Sequence, residues 1–202
     1  ALLDSLAPVV TLVAKSDVRH VEKALRTTGA ENLAMVRDTV TFLRGEGRRV
    51  FVDAEHFFDG YRNDAGYALE VLRAAIEAGA EVVALCDTNG GMLPAQLADV
   101  VHEAVAVLGS HVGIHCHNDT GCAVANTLAA VVEGVDQVQG TMNGIGERTG
   151  NANLCSIIAN LELGLGHDTV GTDRLVHLTR TARIVDELLN RNPDPHQPWV
   201  GR

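Results

Sequence analysis

The sequence predicts an α/β protein built as a (β/α)8 TIM barrel, of which about five C-terminal βα units are present. Apolar, β-branched runs alternate with helical patterns, and after the first unit the strands recur about every thirty residues. Polar residues capable of chemistry follow the end of each strand, which is the face where such barrels assemble their active sites. No Gly-x-Gly-x-x-Gly follows an early strand, which disfavours a dinucleotide-binding fold.

Helices separate each predicted strand from the next, which indicates parallel strands joined by right-handed crossovers. The strands are expected at Val9–Val13, Arg49–Ala54, Glu81–Cys86, Val112–Cys116 and Gln137–Thr141. The helices are expected at Val18–Thr27, Glu31–Gly45, Asp64–Ala78, Pro94–Leu108, Gly121–Glu133, Asn151–Leu163 and Thr172–Asn190. Gly45 ends one helix, Gly79 follows the end of another and Pro94 begins a third, which are the positions where glycine and proline are common in helices.

Five strands are too few to close a barrel of eight. A helix-like stretch, Ala1–Leu6, leads directly into the first strand, so we expect about three βα units to precede residue 1. Residues 1–170 are predicted to form the partial catalytic barrel. Residues 171–202 are predicted to hold the last barrel helix and the start of a C-terminal linker subdomain.

Composition limits the class of protein. With 202 residues and 46% hydrophobic content the chain can bury a sizeable core. The formal charge of −10 disfavours nucleic acid and anionic membranes as partners, and no apolar run is long enough to span a bilayer. The four cysteines lack Cys-x-x-Cys spacing and are interpreted as reduced thiols, which favours the cytoplasm.

A histidine pair at the end of the fourth strand is the main candidate for a metal site. His115 and His117 are two residues apart, so in a strand both imidazoles point to the same face. Two partly buried, hydrogen-bonded histidines are the alternative. Asn151, beyond the fifth strand, is predicted either to complete the coordination sphere or to cap the helix that follows.

Three further positions carry candidate chemistry at the same edge. Glu55, with Asp53 on the same strand face, is predicted to take a proton from a carbon acid; a solvated loop acid is the alternative. Thr88 is predicted to hold a substrate carboxylate. Asn118 and Arg148 are predicted to contact the substrate, and Arg148 also to orient the metal ligands together with Glu147.

The motifs that carry these residues closely resemble the 2-isopropylmalate synthase/homocitrate synthase family. They are His115-Cys-His-Asn-Asp-Thr-Gly121 and Gly144-Ile-Gly-Glu-Arg-Thr-Gly-Asn-Ala152. Asp53–Tyr61 and Cys86–Gly91 are similar to its citramalate-synthase branch. The resemblance implies a (β/α)8 barrel that condenses acetyl-CoA with a 2-oxo acid on a divalent metal (Mn²⁺, Mg²⁺ or Zn²⁺). It further implies pyruvate as the acid, a homodimer, and a place in isoleucine/leucine-type amino-acid biosynthesis.

By the same resemblance, His115 and His117 match the metal-binding histidines and Asn151 a further ligand. Glu55 matches the acid that handles the acetyl group, and Thr88 the threonine that contacts the 2-oxo acid. The sequence departs from the family in two places. The Arg-Asp pair that supplies an acidic metal ligand is not found before Pro8, and the Lys15–His20 segment lacks the usual Gly and Trp.

Three other functions remain open at this point. A carbon–carbon lyase or aldolase would use the same metal pair on the same barrel. A metal-dependent hydrolase also uses His-x-His, but on an early strand. A catalytically incomplete barrel would have two exposed sheet edges and an unfinished metal site.

Overall fold

The computed structural model describes residues 3–202 and contains one parallel sheet of five strands. The strands are β1 (Val9–Lys15), β2 (Arg49–Glu55), β3 (Val82–Asp87), β4 (Val112–Cys116) and β5 (Gln137–Gln139). Their order in the sheet is β1-β2-β3-β4-β5, so each crossover moves the chain one place in the same direction. A doubly wound sheet reverses this order at a switch point. The predicted α/β class is therefore confirmed, with the strand order of consecutive TIM-barrel units.

Helices lie between successive strands and after the last strand, mostly where the sequence predicts them. They are α1 (Val18–His20), α2 (Gly29–Gly45), α3 (Phe57–Asn63), α4 (Ala65–Glu77), α5 (Pro94–Leu108), α6 (Ala123–Val132), α7 (Leu154–Ala159) and α8 (Leu178–Leu188). Two α-helices continue as π-helical segments, α1 through Val21–Leu25 and α7 through Asn160–Leu165. No helix within residues 3–202 is both long and apolar enough to cross a membrane.

Several predicted boundaries were wrong. The segment Phe57–Asn63 was not predicted to be helical, but it forms α3 because Phe57 and Phe58 are buried in the core. The predicted helix from Thr172 begins as a 3₁₀ segment, Thr172–His177, before α8. The last strand stops at Gln139, and Thr141 instead bridges to Asn153. Of the predicted Ala1–Leu6 helix, a 3₁₀ turn covers Leu3–Ser5, while Ala1 and Leu2 lie outside the described residues.

Alternation along the strands separates the core from the face that carries the polar residues. In β2, Val50, Val52 and Ala54 are fully buried and belong to the main hydrophobic cluster, together with Leu72 of α4. Asp53 and Glu55 alternate with them and remain partly exposed. Because side chains alternate faces in a strand, the apolar set packs under the helices while the carboxylates face the inside of the barrel curve.

The register brings the strand ends to one level. Lys15 pairs with Glu55, Cys86 with His115, and His115 with Gln139. Parallel strands all end at the same edge of the sheet, so residues far apart in the sequence become neighbours there. This edge holds the candidate site.

Candidate active site at the carboxyl ends of the strands

A cavity of about 180 Å³ lies at the carboxyl ends of the strands. Its lining contains four of the residues predicted to act there: Glu55, Thr88, His115 and His117. The remaining lining residues are Val13, Asp53, Cys86 and Glu147. A larger cavity of about 490 Å³ lies behind β5 among apolar side chains such as Val138 and Ile157, and none of the predicted site residues lines it. The smaller cavity is therefore the candidate active site.

The two imidazoles lie side by side, as strand alternation predicts. Their ring centroids are 5.2 Å apart at an interplanar angle of 57°. His117 is 8% exposed. Burial lowers its pKa, and the nearby His115 and Arg148 lower it further. A neutral imidazole is the form that binds a metal, so the environment of His117 suits a ligand.

Asn151 reaches the histidine pair from the loop after β5. Its backbone forms an isolated antiparallel bridge with His117, and its Nδ2 lies 3.5 Å from His115 Nε2. The alternative in which Asn151 caps the next helix is wrong. Asn153 performs that role, because its side chain accepts a hydrogen bond of 2.9 Å from the Cys155 N–H at the start of α7.

The glycines of the Gly144–Asn151 loop make this approach possible. A Cβ at Gly146 would lie 2.5 Å from Asn151 Oδ1, and the φ of Gly146 is +152°. At Gly150 a Cβ would lie 2.0 Å from the Gly144 carbonyl oxygen, and the φ is +97°. Only glycine combines these angles with such close contacts. The loop therefore folds tightly enough to bring the Asn151 carboxamide beside His115.

These residues fit a divalent cation. His117 Nδ1 and Asn151 Oδ1 are buried and have no hydrogen-bond partner in the part of the chain that the structure describes. Buried polar atoms normally have partners, so these two atoms on neighbouring residues are available to contact a ligand, although Asn151 itself does not line the cavity. Two imidazoles and a carboxamide are suitable donors for Mn²⁺, Mg²⁺ or Zn²⁺. Residues 3–202 contain no group of three or more His, Cys, Asp and Glu side chains arranged to hold a metal.

Glu55 lies at the end of β2 and is held from two sides. Its carboxylate oxygen Oε2 forms an ion pair with the Lys15 ammonium group. Its backbone carbonyl accepts a hydrogen bond of 2.8 Å from the buried Ser16 hydroxyl. Both contacts come from the end of β1, so the register of β1 and β2 positions the Glu55 side chain at the cavity.

Thr88 follows β3 and faces the same cavity. Its hydroxyl oxygen accepts a hydrogen bond of 2.8 Å from the His56 backbone N–H. His56 adopts a left-handed conformation with a φ of 58° at the start of α3. Since the Thr88 oxygen is the acceptor in this bond, its own O–H remains to donate to a ligand.

Asn118 and Arg148 do not line the cavity. The Asn118 side-chain oxygen accepts a hydrogen bond of 3.1 Å from the Ala123 N–H at the start of α6. The Arg148 guanidinium donates to both carboxylate oxygens of Asp119, at 2.8 and 2.9 Å, and to the Thr88 carbonyl at 2.7 Å. Arg148 thus connects the loop after β3 with the loop after β4. Contact of Asn118 or Arg148 with a substrate stays a prediction.

The structure adds Gln139, which was not among the predicted site residues. Its amide lies between His115 and Asp53, with hydrogen bonds of 3.0 and 2.9 Å. The signal in the sequence is the pair of polar residues Gln137 and Gln139 flanking Val138 in β5. An alternation of this kind indicates that one face of β5 meets polar partners.

Comparison with known proteins gives relatives over the whole chain. Residues 5–185 match the protein-family model described as HMGL-like. The (R)-citramalate synthase of Streptomyces coelicolor is 60% identical over 201 residues, covering 100% of this chain and 38% of that protein. The (R)-citramalate synthase of Synechocystis is 50% identical over 210 residues, covering 100% of this chain and again 38% of the relative. The chain thus spans 38% of the length of these curated relatives.

Solved structures share the fold. The HMG-CoA lyase of Bacillus subtilis superposes with a TM-score of 0.82 at 19% identity, covering 98% of this chain and 68% of that one. The hydroxymethylglutaryl-CoA lyase of Pseudomonas aeruginosa gives a TM-score of 0.79 at 19% identity, covering 94% and 66%. At such low identity the similarity establishes the arrangement of strands and helices alone.

Proposed function

Because this chain belongs to the HMGL-like family, we propose that it serves a metal-dependent Claisen-type condensation of acetyl-CoA with a 2-oxo acid. Pyruvate, giving citramalate, is the substrate we propose, since the relatives at 60% and 50% identity are (R)-citramalate synthases. The single observation that carries the proposal is the cavity that brings Glu55 and Thr88 together with the histidine pair.

In this proposal His115, His117 and Asn151 hold the divalent cation. When bound, the cation polarises the keto carbonyl of the 2-oxo acid and makes its carbon a better electrophile. The buried position of His117 and the orphaned atoms of His117 and Asn151 support this assignment.

Glu55 is the proposed base. Its ion pair with Lys15 uses Oε2, which leaves Oε1 to take a proton from the acetyl methyl group. The electron pair of that C–H bond then forms the enolate, which attacks the keto carbon of the 2-oxo acid. The π electrons of the keto group move to its oxygen, which takes up a proton and becomes the hydroxyl group of the product. Water hydrolyses the thioester afterwards and releases CoA as the free thiol, so the sequence of steps is balanced without a redox partner.

Thr88 is proposed to bind the 2-oxo acid carboxylate. Its hydroxyl oxygen is already occupied by the His56 N–H, so the hydroxyl hydrogen is directed to another acceptor. Arg148 holds the Thr88 carbonyl and thereby fixes the loop that presents this hydroxyl. Both contacts place the Thr88 side chain before a substrate arrives, which favours binding in one orientation.

The test is an incubation with acetyl-CoA and a panel of 2-oxo acids, with release of the CoA thiol measured by a thiol reagent. Glu55→Gln keeps the size of the side chain, and we expect it to lower turnover about 10²- to 10⁴-fold. The control is Glu46→Gln, an exposed residue just after α2, which should leave turnover unchanged. Full activity of the Glu55 variant would remove it as the base. Absence of thiol release with every acid, together with cleavage of a hydroxyacyl-CoA to acetyl-CoA, would favour the lyase alternative.

Further proposals concern the oligomeric state, the metabolic role, the cellular location and the domain organisation. We propose a homodimer, to be checked by light scattering, and a role in isoleucine/leucine-type amino-acid biosynthesis. The cytoplasmic location is supported by the four cysteines, all within the described residues and all free. We also propose the division into a barrel part, residues 1–170, and the start of a linker region, residues 171–202.

A further inference from the structure

A line of hydrogen bonds crosses the inner face of the sheet from β2 to β5 and ends on the histidine pair. Gln139 Nε2 donates to Asp53 Oδ1 at 2.9 Å. Gln139 Oε1 lies 3.0 Å from His115 Nδ1. Asp53 and Gln139 lie on strands that are separated by β3 and β4, so only the curvature of the sheet brings the two side chains together.

The chemistry of Asp53 determines which way the Gln139 amide faces. An ionised carboxylate only accepts hydrogen bonds, so it must meet the NH₂ group of the amide. The opposite orientation would place the amide oxygen against the carboxylate, with no hydrogen between them. Gln139 therefore presents Oε1, an acceptor, to His115.

An acceptor at His115 Nδ1 requires a hydrogen on that nitrogen. In a neutral imidazole, a hydrogen on Nδ1 leaves Nε2 with a free lone pair. On the other side of the ring, the Asn151 amide nitrogen Nδ2 lies 3.5 Å from His115 Nε2, a contact that is compatible with a lone pair on Nε2. The contact with Gln139 is therefore the one that selects the tautomer.

We propose that Asp53 and Gln139 are positioning residues that hold His115 in the Nδ1–H tautomer, with the Nε2 lone pair turned to the cation site. This inference rests on the proposed function, because it concerns the same site. Ligating histidines usually donate their second N–H directly to a carboxylate or carbonyl oxygen. Here an amide is interposed, so the Asp53 carboxylate acts on His115 through Gln139.

The sequence supplies a matched control on the same strand. Gln137 and Gln139 are two residues apart in β5, so they share a face and a side-chain type. The Gln137 side chain packs over Gly113 and forms no hydrogen bond to His115. Gln137→Leu therefore removes an amide from the strand without touching the proposed line of hydrogen bonds, whereas Gln139→Leu removes the acceptor for His115 Nδ1.

Two variants test the role of Asp53. In Asp53→Asn the side chain can present either its oxygen or its NH₂ group to Gln139, so the orientation of the Gln139 amide is no longer fixed. In Asp53→Leu the acceptor is lost altogether and the Gln139 amide is free to turn. Asp53→Leu leaves both Gln139 and His115 in the chain, so it keeps the inference testable if Gln139→Leu does not fold.

The first measurement is the tautomer of His115, read from long-range ¹H–¹⁵N NMR spectra of the metal-free chain. We expect the Nδ1–H form in the unmodified chain and in Gln137→Leu. A mixture with the Nε2–H form is expected in Gln139→Leu, in Asp53→Leu and in Asp53→Asn. The inference is overturned by an Nε2–H form in the unmodified chain, or by a Nδ1–H form that persists in both leucine variants at positions 139 and 53.

The second measurement is the affinity for Zn²⁺, determined by competition with a chromophoric chelator. Gln139→Leu should bind Zn²⁺ about 10- to 100-fold more weakly, and Gln137→Leu within about 3-fold of the unmodified chain. Equal affinities in the two glutamine variants would overturn the positioning role. The tautomer is measured without metal or substrate, so this test is independent of the proposed condensation. An inactive chain can still show the Nδ1–H form, and an active chain can lack it.

Discussion

Gly146→Ala tests whether the Asn151 carboxamide belongs to the cation site. The added Cβ would lie 2.5 Å from Asn151 Oδ1, about 0.5 Å short of the 3.0 Å below which such contacts do not occur. The nearest atom is the end of a side chain, so the carboxamide can move away, while the Asn151 backbone nitrogen, 3.3 Å from the Cβ, must shift by a few tenths of an ångström. The contact between Asn151 Nδ2 and His115 Nε2 is already 3.5 Å long, so a shift of the carboxamide by about 0.5 Å breaks it.

The expected effect falls on metal binding more than on stability. Loss of a well-placed group at a metal site typically weakens binding 10- to 100-fold, or about 1.4–2.8 kcal/mol of binding free energy. The alanine also enters a backbone conformation with a φ of +152°, which adds about 1–3 kcal/mol of strain. We expect the variant to fold, with a lower midpoint in urea and with weaker binding of Mn²⁺ in a calorimetric titration.

The control is Gly164→Ala, because a Cβ at Gly164 meets nothing within 4 Å. It should leave Mn²⁺ affinity unchanged. A double variant, Gly146→Ala with Asn151→Ala, sharpens the test. If Gly146→Ala acts through the carboxamide, the double variant binds no more weakly than Asn151→Ala alone. Unchanged affinity in Gly146→Ala, or additive losses in the double variant, would refute the reasoning.

Three other predictions concern the fold and its titrating groups. Phe57→Ala removes a fully buried ring and should destabilise the chain by about 3–5 kcal/mol in urea denaturation, whereas Phe42→Ala, at an exposed position, should cost less than about 1 kcal/mol. The backbone N–H groups of Val170 and Thr169 lower the pKa of Glu162 to about 2, so its stabilising contribution is present above pH 4.5 and is lost as the pH falls towards 2. Glu162→Gln should therefore reduce the dependence of the melting temperature on pH between pH 4.5 and 2. A pH dependence equal to that of the unmodified chain would contradict this. Burial raises the pKa of Cys116 to about 12 and the pKa of Cys86 well above its usual value. Iodoacetamide at pH 8 should therefore label the partly exposed Cys122 first, and peptide mass spectrometry measures this order of labelling.

The strands were predictable because each carries a local signal. The apolar alternation of Val50, Val52 and Ala54 marks β2 regardless of what packs against it. The face shared by His115 and His117 follows from strand geometry alone, and the structure places their rings side by side. The resemblance stated from the motifs is confirmed by the match of residues 5–185 to the HMGL-like family and by the identity to (R)-citramalate synthases.

The parts that failed depend on distant neighbours. The stretch at Phe57 has no helical periodicity of its own, and it becomes α3 because two aromatic rings enter the core. Asn151 and Asn153 are both plausible caps by residue type. Only the bridge between Asn151 and His117 shows that Asn151 is still extended and that Asn153 starts the helix. Asn118 and Arg148 follow the strands like the other site residues, and the structure shows only their hydrogen bonds within the protein, so their contact with substrate stays a prediction.

The sequence by itself determined the parallel α/β architecture, the common face of the histidine pair and the edge of the sheet at which polar residues collect. These properties follow from periodicities of two and 3.6 residues, which act over short stretches of chain. The tertiary structure alone decided that Gln139 joins Asp53 to His115, because Asp53 and Gln139 are 86 residues apart and meet through the curvature of the sheet. Hydrogen bonds act over about 3 Å, so which polar groups pair, and which tautomer His115 adopts, is fixed when the chain has folded.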